Sequence, residues 1–178
     1  LIENITPEFM KNYQDICIEI LSLNDNIKIL PESHQLLAQM KGTVNVFSPL
    51  LRKSMADSLI HLSMLYKDNP AVADEIVGKV CKGSIERWKS IAPFVMELAE
   101  ASPSVFLDKF EELLNTSTIE ELQLLVNASK GSMENFGAYT SILFALELLS
   151  WEEKHLEKVT NILFKLIPVW NNIPNNVA

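Results

Sequence analysis

Glycine is scarce here, five among 178 residues. Sheets with many tight turns draw on glycine, and β-branched runs are few as well, so a β-rich fold is disfavoured. Cysteine is scarcer still: Cys17 and Cys81 sit in apolar helical contexts, and neither belongs to a CxxC pair. Two buried thiols in a reducing compartment are expected, not a disulfide. The three histidines, His34, His61 and His155, are far apart and lack HExxH or HxxxH spacing, so no metal site can be argued. No apolar run approaches the ~18 to 20 residues that span a bilayer. The densest stretch, Ile142 to Leu149, is broken by Glu147. With no basic segment leading into an apolar core, there is no signal-peptide pattern, and a cytoplasmic protein is expected.

Chemistry-bearing motifs are missing too. A phosphate-binding loop needs glycines followed by Lys and Ser/Thr, so that backbone amides wrap the phosphate. Lys82-Gly83-Ser84 and Lys130-Gly131-Ser132 carry those letters in the wrong order and read as turns. The carboxylate pairs Glu111-Glu112, Glu120-Glu121 and Glu152-Glu153 lie near helix ends or on polar faces, where a favourable meeting with the helix dipole explains them. No Ser-His-Asp or Cys-His set can be assembled. The sequence therefore names no catalytic residue, no metal ligand and no cofactor.

What is present is apolar and acidic. The apolar fraction is 48%, ordinary for a folded domain, and 178 residues suit one domain or one stretch of a repeat array. A chain this long buries roughly 70% of its unfolded surface and needs no staple. The net charge of −8 is uneven. Residues 1–89 carry 10 basic and 11 acidic side chains, whereas residues 90–178 carry 5 and 12. The acidic second half repels phosphate backbones, so nucleic acid is not an expected partner there; a protein with basic patches is. Arg52-Lys53, Lys79, Lys82, Arg87 and Lys89 read as solvated helix faces.

Helix follows helix along the chain. Thr6-Pro7, Ser48-Pro49 and Ser102-Pro103 each pair a hydroxyl cap with proline at the first helical position. Thr118 to Glu121 and Ser150 to Glu153 read as capping boxes. Phe9, Tyr13, Ile16, Ile20 and Leu23 predict one core-facing stripe, and Leu51, Met55, Leu59, Leu62 and Tyr66 a second. Pro31 to Met40 reads as a short helix, and Thr43 to Phe47 as an extended segment. Ala71 to about Lys82 is a helix that Gly83 ends. Trp88, Ile91, Val95 and Leu98 recur at helical spacing, and Pro93 interrupts them: either one helix kinks there or a first turn near Glu86 ends and a new helix starts with Ser90 as its cap, the second being the expectation. Lys130 to Asn135 reads as an exposed loop and Tyr139 to Leu149 as a buried helix. A last helix carries Leu156, Val159, Ile162, Leu163, Leu166 and Ile167 inward, and Pro168 kinks or stops it. His61 is expected at the core edge and His155 in solvent.

The expected fold is all-α: an irregular α-solenoid or stacked antiparallel helix pairs, about eight or nine helices in one domain over 1–178. It divides into N-terminal helices (1–47), a helical array (48–170) and a tail (171–178). No fixed 34- or 40-residue period emerges. Leu1 at the start and the polar Asn175 to Ala178 at the end read as a piece of a longer polypeptide. Trp88, Trp151 and Trp170 each fall near a helix end, as packing at helix joints or as anchors for a protein partner, with Trp170 the leading anchor.

Two stretches carry a resemblance. One is Trp88-Lys89-Ser90-Ile91 through Pro93, then Leu98-Ala99-Glu100-Ala101-Ser102-Pro103 and Phe106-Leu107-Asp108. The other is Ala145-Leu146-Glu147-Leu148-Leu149-Ser150-Trp151, with Leu156-Glu157-Lys158-Val159 and Ile162-Leu163, Lys165-Leu166. Over roughly residues 48–170 they resemble the helical region of large bacterial STAND-type P-loop NTPases implicated in antiphage defence. The resemblance implies a sensor or scaffold array, and no active-site residue carries over, because the chain holds no nucleotide-binding motif. The expectation is a non-enzymatic interaction module that binds a protein partner or other domains of its own chain, and no membrane. The alternatives are a free-standing helical enzyme or binding protein with a site not visible in the sequence, and an architectural spacer.

Overall fold

The computed structural model describes residues 5–24, 45–66, 70–127 and 138–171, with Leu30, His34, Leu37, Met40 and Lys41 singly; of these, the side chains of 126, 127, 170 and 171 are outside the description. Nine α-helices occur among the described residues: α1 (Pro7–Ser22), α2 (Pro49–Leu65), α3 (Ala71–Val80), α4 (Ile85–Ile91), α5 (Val95–Ala101), α6 (Pro103–Thr116), α7 (Ile119–Asn127), α8 (Ala138–Ser150) and α9 (Glu153–Asn171). A 3-10 turn, Ala92–Phe94, joins α4 to α5. No strand occurs among the described residues, so the fold is all-α, as expected. The helix expected over Pro31–Met40 and the loop over Lys130–Asn135 lie outside the described residues, apart from His34, Leu37 and Met40.

The helix starts follow local chemistry. Phe9 N–H donates to Thr6 Oγ1 (3.1 Å) and Leu51 N–H to Ser48 Oγ (3.1 Å), and proline follows each cap. At α7 the capping box closes both ways: Glu121 N–H donates to Thr118 Oγ1, and Thr118 N–H to Glu121 Oε2. Three other expected caps differ. Ser102 precedes α6, but its hydroxyl donates to Asp74 Oδ1 of α3 (2.5 Å) and so ties two helices together. Ser90 is buried inside α4, because the break falls at Ala92–Phe94, where Pro93 is accommodated by a 3-10 turn. Ser150 ends α8 and donates back to Glu147 O, so the second capping box does not form. Gly83 takes φ +138°, a conformation that side chains rarely adopt, and turns the chain from α3 into α4.

Helices three apart in the chain lie side by side. α5 packs against α2 and α8, α6 against α3 and α9, and α4 against α7 and more lightly α1; outside these rows α1 also packs on α2 and α3, and α9 on α7 and α8. Among the described residues, no helix of α1–α3 packs extensively on any of α7–α9. One continuous core nevertheless runs from Cys17 to Val169, since contacts between the rows, such as α1 on α3, α5 on α6 and α9 on α8, join their apolar faces. The centre of that core is Trp88 of α4. It is fully buried and meets Phe106 edge-on (centroids 5.5 Å) and Phe110 at a tilt (4.9 Å), both on α6. The expected stripe Trp88, Ile91, Val95 and Leu98 is buried throughout.

Other stripes are out of phase with expectation. α1 buries Cys17, Ile20 and Leu21, while Phe9 and Ile16 are exposed. α2 buries Arg52, Ala56 and Leu59, with Leu51 exposed and Met55 and Leu62 only partly covered. α9 buries Val159, Ile162, Leu166 and Val169, whereas Leu156, Leu163 and Ile167 face out. α9 also runs on through Pro168 without stopping.

Candidate interaction surface

The three tryptophans separate cleanly. Trp88 has no exposed surface and serves the core, which is the packing alternative of the two roles expected for it. Trp170 lies in the last turn of α9, and its side chain is outside the described residues. Trp151 stands 81% exposed at the corner between α8 and α9. A tight turn holds it there: Trp151 N–H donates to Leu148 O (3.4 Å), Glu152 N–H to Leu149 O (3.2 Å) and His155 N–H to Glu152 O (2.9 Å). Phe144 and Leu148 precede Trp151 by seven and three residues, and both are exposed. That spacing sets the three on one side of α8 and its terminal turn. Single exposed apolar residues are ordinary, but grouped aromatics ringed by polar side chains mark interaction sites.

The corner is acidic. Glu147, Glu152 and Glu153 flank Trp151 in the chain, and all are exposed. Lys154 Nζ lies 2.7 Å from Glu152 Oε2 and holds that carboxyl below the ordinary carboxylate range. Four lysines of the second half, Lys109, Lys154, Lys158 and Lys165, are all committed to carboxylates of this chain. Glu147, Glu153 and Glu157 are in no ion pair among the described residues, so the outer surface keeps a net negative field.

Beneath the corner, His155 is 5% exposed, where a solvent-facing side chain was expected. It is the first residue of the buried stripe His155, Val159, Ile162, Leu166 and Val169, so its spacing rather than its polarity decides its place. Burial, chiefly, keeps His155 below the ordinary imidazole value, with Lys154 and Lys158 adding to the effect and Glu152 Oε2 (3.8 Å) opposing it. The unfolded chain therefore binds more protons than the folded one below about pH 6.5. Stability is fully present above that pH and is lost as pH falls through the folded value. Urea midpoints should be level between pH 8 and 7 and decline between pH 6.5 and 5, and His155→Leu should flatten that decline. Glu111, Glu112 and Glu152, all held low by lysines, act in the same direction only below about pH 5.

A buried cation also escaped the sequence pattern. Arg52, 4% exposed, is not a solvated face. Its Nη2 donates to Leu21 O (3.1 Å), Leu23 O (2.8 Å) and Ser90 Oγ (3.3 Å), and its guanidinium lies 4.9 Å from the Phe94 ring centroid. Ser90 Oγ also donates to Leu23 O (3.2 Å). The orphan carbonyls at the C-terminus of α1 thus receive a positive group at the negative end of the helix dipole. Its neighbour Lys53 bridges Asp57 of α2 and Glu97 of α5 instead. His61, expected at the core edge, is exposed.

Two adjoining clefts share Gly83, Leu113 and Thr116: one of about 300 Å³ reaching Ser84, Glu86, Glu121 and Leu124, the other of about 210 Å³ reaching Lys82, Lys109 and Glu112. Their polar groups bond one another in local pairs, Ser84 with Glu86, Lys109 with Glu112, and Glu121 with Thr118, and do not converge on a shared point. The sulfur of Cys81 is buried beside them, and burial raises its thiol far above the ordinary value, the opposite of what activates a nucleophile. Among the described residues, no three His, Cys, Asp or Glu side chains gather as a metal would require, and no helix is long and apolar enough to cross a membrane. In comparisons with known proteins the chain matches no family model, no curated protein and no solved structure.

Proposed function

We propose that this chain is a non-enzymatic helical scaffold, an irregular α-solenoid that presents Trp151 to a protein partner. The carrying observation is the 81% exposure of that side chain beside Phe144 and Leu148 on an acidic corner. An exposed Trp costs solvation and gains nothing for the fold, whereas buried in a partner's pocket it is among the strongest anchors known. The row order supports a solenoid, because helices three apart stack while the first and last triplets do not meet extensively. Such an array works by holding a surface, and the acidic field selects partners with basic patches. The parent this reading favours is a large bacterial cytoplasmic protein, with this chain as the sensor or scaffold region of a STAND-type NTPase, on the strength of the two stretches that resemble that family.

Photo-crosslinking tests the reading. A benzoylphenylalanine placed at position 151 of the full-length parent in its host should crosslink to one discrete protein, or to one other domain of the same chain. The same group at exposed Met64 of α2 should not. A product pattern identical at both positions would sink the reading. Reading the parent frame on both sides of the chain tests its origin: a GxxxxGK[ST] segment after a strand supports the NTPase parent, and its absence removes it.

A further inference from the structure

We propose that the flank of α9 turned away from α6 is a docking surface for a basic amphipathic helix of a partner protein, seated as the next helix in the α3–α6–α9 row. This rests on the scaffold reading above. α9 is apolar on two sides. His155, Val159, Ile162, Leu166 and Val169 are buried in the core, whereas Leu156, Leu163, Phe164 and Ile167 are exposed.

The helix phase places that second stripe. Lys158 is paired with Asp108 and Glu111 of α6, and Lys165 with Glu111 (2.7 Å) and Asn115 (2.9 Å), so these lysines mark the side of α9 that faces α6. At about 100° per residue, Leu156, Leu163 and Ile167 lie roughly 170° around the helix from them. The stripe thus occupies the side where a further helix would continue the row, as α6 follows α3 and α9 follows α6. Leu156, Leu163 and Ile167 stand at i, i+7 and i+11, the spacing of an apolar seam that meets another helix.

Charge selects the occupant. Glu153 and Glu157 lie beside the stripe, are exposed, and enter no ion pair among the described residues. The α6–α9 contact already joins carboxylates of one helix to lysines of the next, and the outer flank of α9 offers carboxylates again. A helix with an apolar seam and flanking Lys or Arg meets both features. An anionic lipid surface meets the apolar one and is repelled by the other.

The probe is a synthetic 18-residue amphipathic helix with Leu on one face and Lys on the other, beside a control with Glu in place of Lys, followed by fluorescence anisotropy. The Leu/Lys helix should bind with a micromolar dissociation constant. Leu163→Glu with Ile167→Glu should weaken it at least tenfold, and Leu50→Glu on α2 should leave it unchanged. If circular dichroism shows the double variant unfolded, Leu163→Ala with Ile167→Ala carries the test, with a loss of at least threefold. Equal binding of the Leu/Glu helix, or insensitivity to the α9 substitutions, overturns the proposal. So does co-sedimentation with phosphatidylcholine vesicles that the double variant abolishes, which would assign the stripe to lipid. A discrete crosslink at position 151 together with failure of the α9 test rejects this surface and leaves the scaffold reading standing. Specific α9 binding without that crosslink supports the surface and removes the Trp151 anchor.

Discussion

Trp88→Ala is expected to destabilise the fold by about 4 kcal/mol, the scale for truncating a fully buried aromatic. Trp88 has no exposed surface and touches both Phe106 and Phe110, so the change leaves a cavity in the contact between α4 and α6 and breaks two ring pairs, each worth about 0.5–1.5 kcal/mol beyond its area. A domain of this size shifts its midpoint by roughly 2–4 °C per kcal/mol, so Tm should fall by about 10 °C, read by circular dichroism. Trp88→Phe refills part of the space and should cost about half as much. Fluorescence gives an independent reading: either variant should lose the blue-shifted emission of a buried indole, while the red-shifted signal of Trp151 persists. A shift below about 2 °C for Trp88→Ala would contradict the placement of this ring.

Arg52→Ala should cost about 3 kcal/mol, more than its position beside Lys53 on an otherwise ordinary helix suggests. The loss has three sources. Leu21 O and Leu23 O lose the charged donor, Leu23 O keeping only Ser90 Oγ; Ser90 loses a bond; and the guanidinium leaves the face of Phe94. Lysine replaces it poorly, because the three bonds leave Nη2 at the far end of a planar guanidinium set against the Phe94 ring, and a shorter side chain ending in an ammonium has no such plane. Arg52→Lys is therefore expected to recover less than half of the loss. Lys53→Ala, which removes a half-exposed pair to Asp57 and Glu97, should cost under 1 kcal/mol. Urea titrations of the three variants give the order directly. Equal costs at positions 52 and 53 would show that Arg52 does not cap α1.

The helix starts were legible because they depend on chemistry within four residues: a hydroxyl, a proline and a carboxylate at fixed spacing announce Thr6, Ser48 and Thr118. Trp88 to Leu98 was legible for a different reason: Trp88, Ile91, Val95 and Leu98 keep three- and four-residue spacing across the break at Pro93, and all four are buried. Helix phase failed where both faces are apolar. On α9 the set Leu156, Leu163 and Ile167 satisfies helical periodicity as well as Val159, Ile162 and Leu166 do, and only the α6 carboxylates that capture Lys158 and Lys165 decide between them. Arg52 and His155 failed because polarity was given more weight than spacing. Each falls on the buried phase of its helix, Arg52 with Ala56 and Leu59, His155 with Val159 and Ile162. Ser102 and Ser150 carry capping letters, but a nearby carboxylate and a backbone carbonyl took their hydroxyls. Of the candidate anchors, the exposure of Trp151 was not readable from its neighbours. It follows from the turn that carries the chain from α8 to α9.

The scaffold reading is tested most directly by the dissociation constant of the protein crosslinked at position 151, measured for the wild-type chain and for Trp151→Ala. An exposed side chain can be removed with little change in stability, within about 0.5 kcal/mol, so Tm serves as the internal control. If Trp151 anchors the partner, the constant should rise at least thirtyfold, the scale of a hot-spot residue of about 2 kcal/mol or more, with Tm unchanged. An unchanged constant at unchanged Tm would contradict the account.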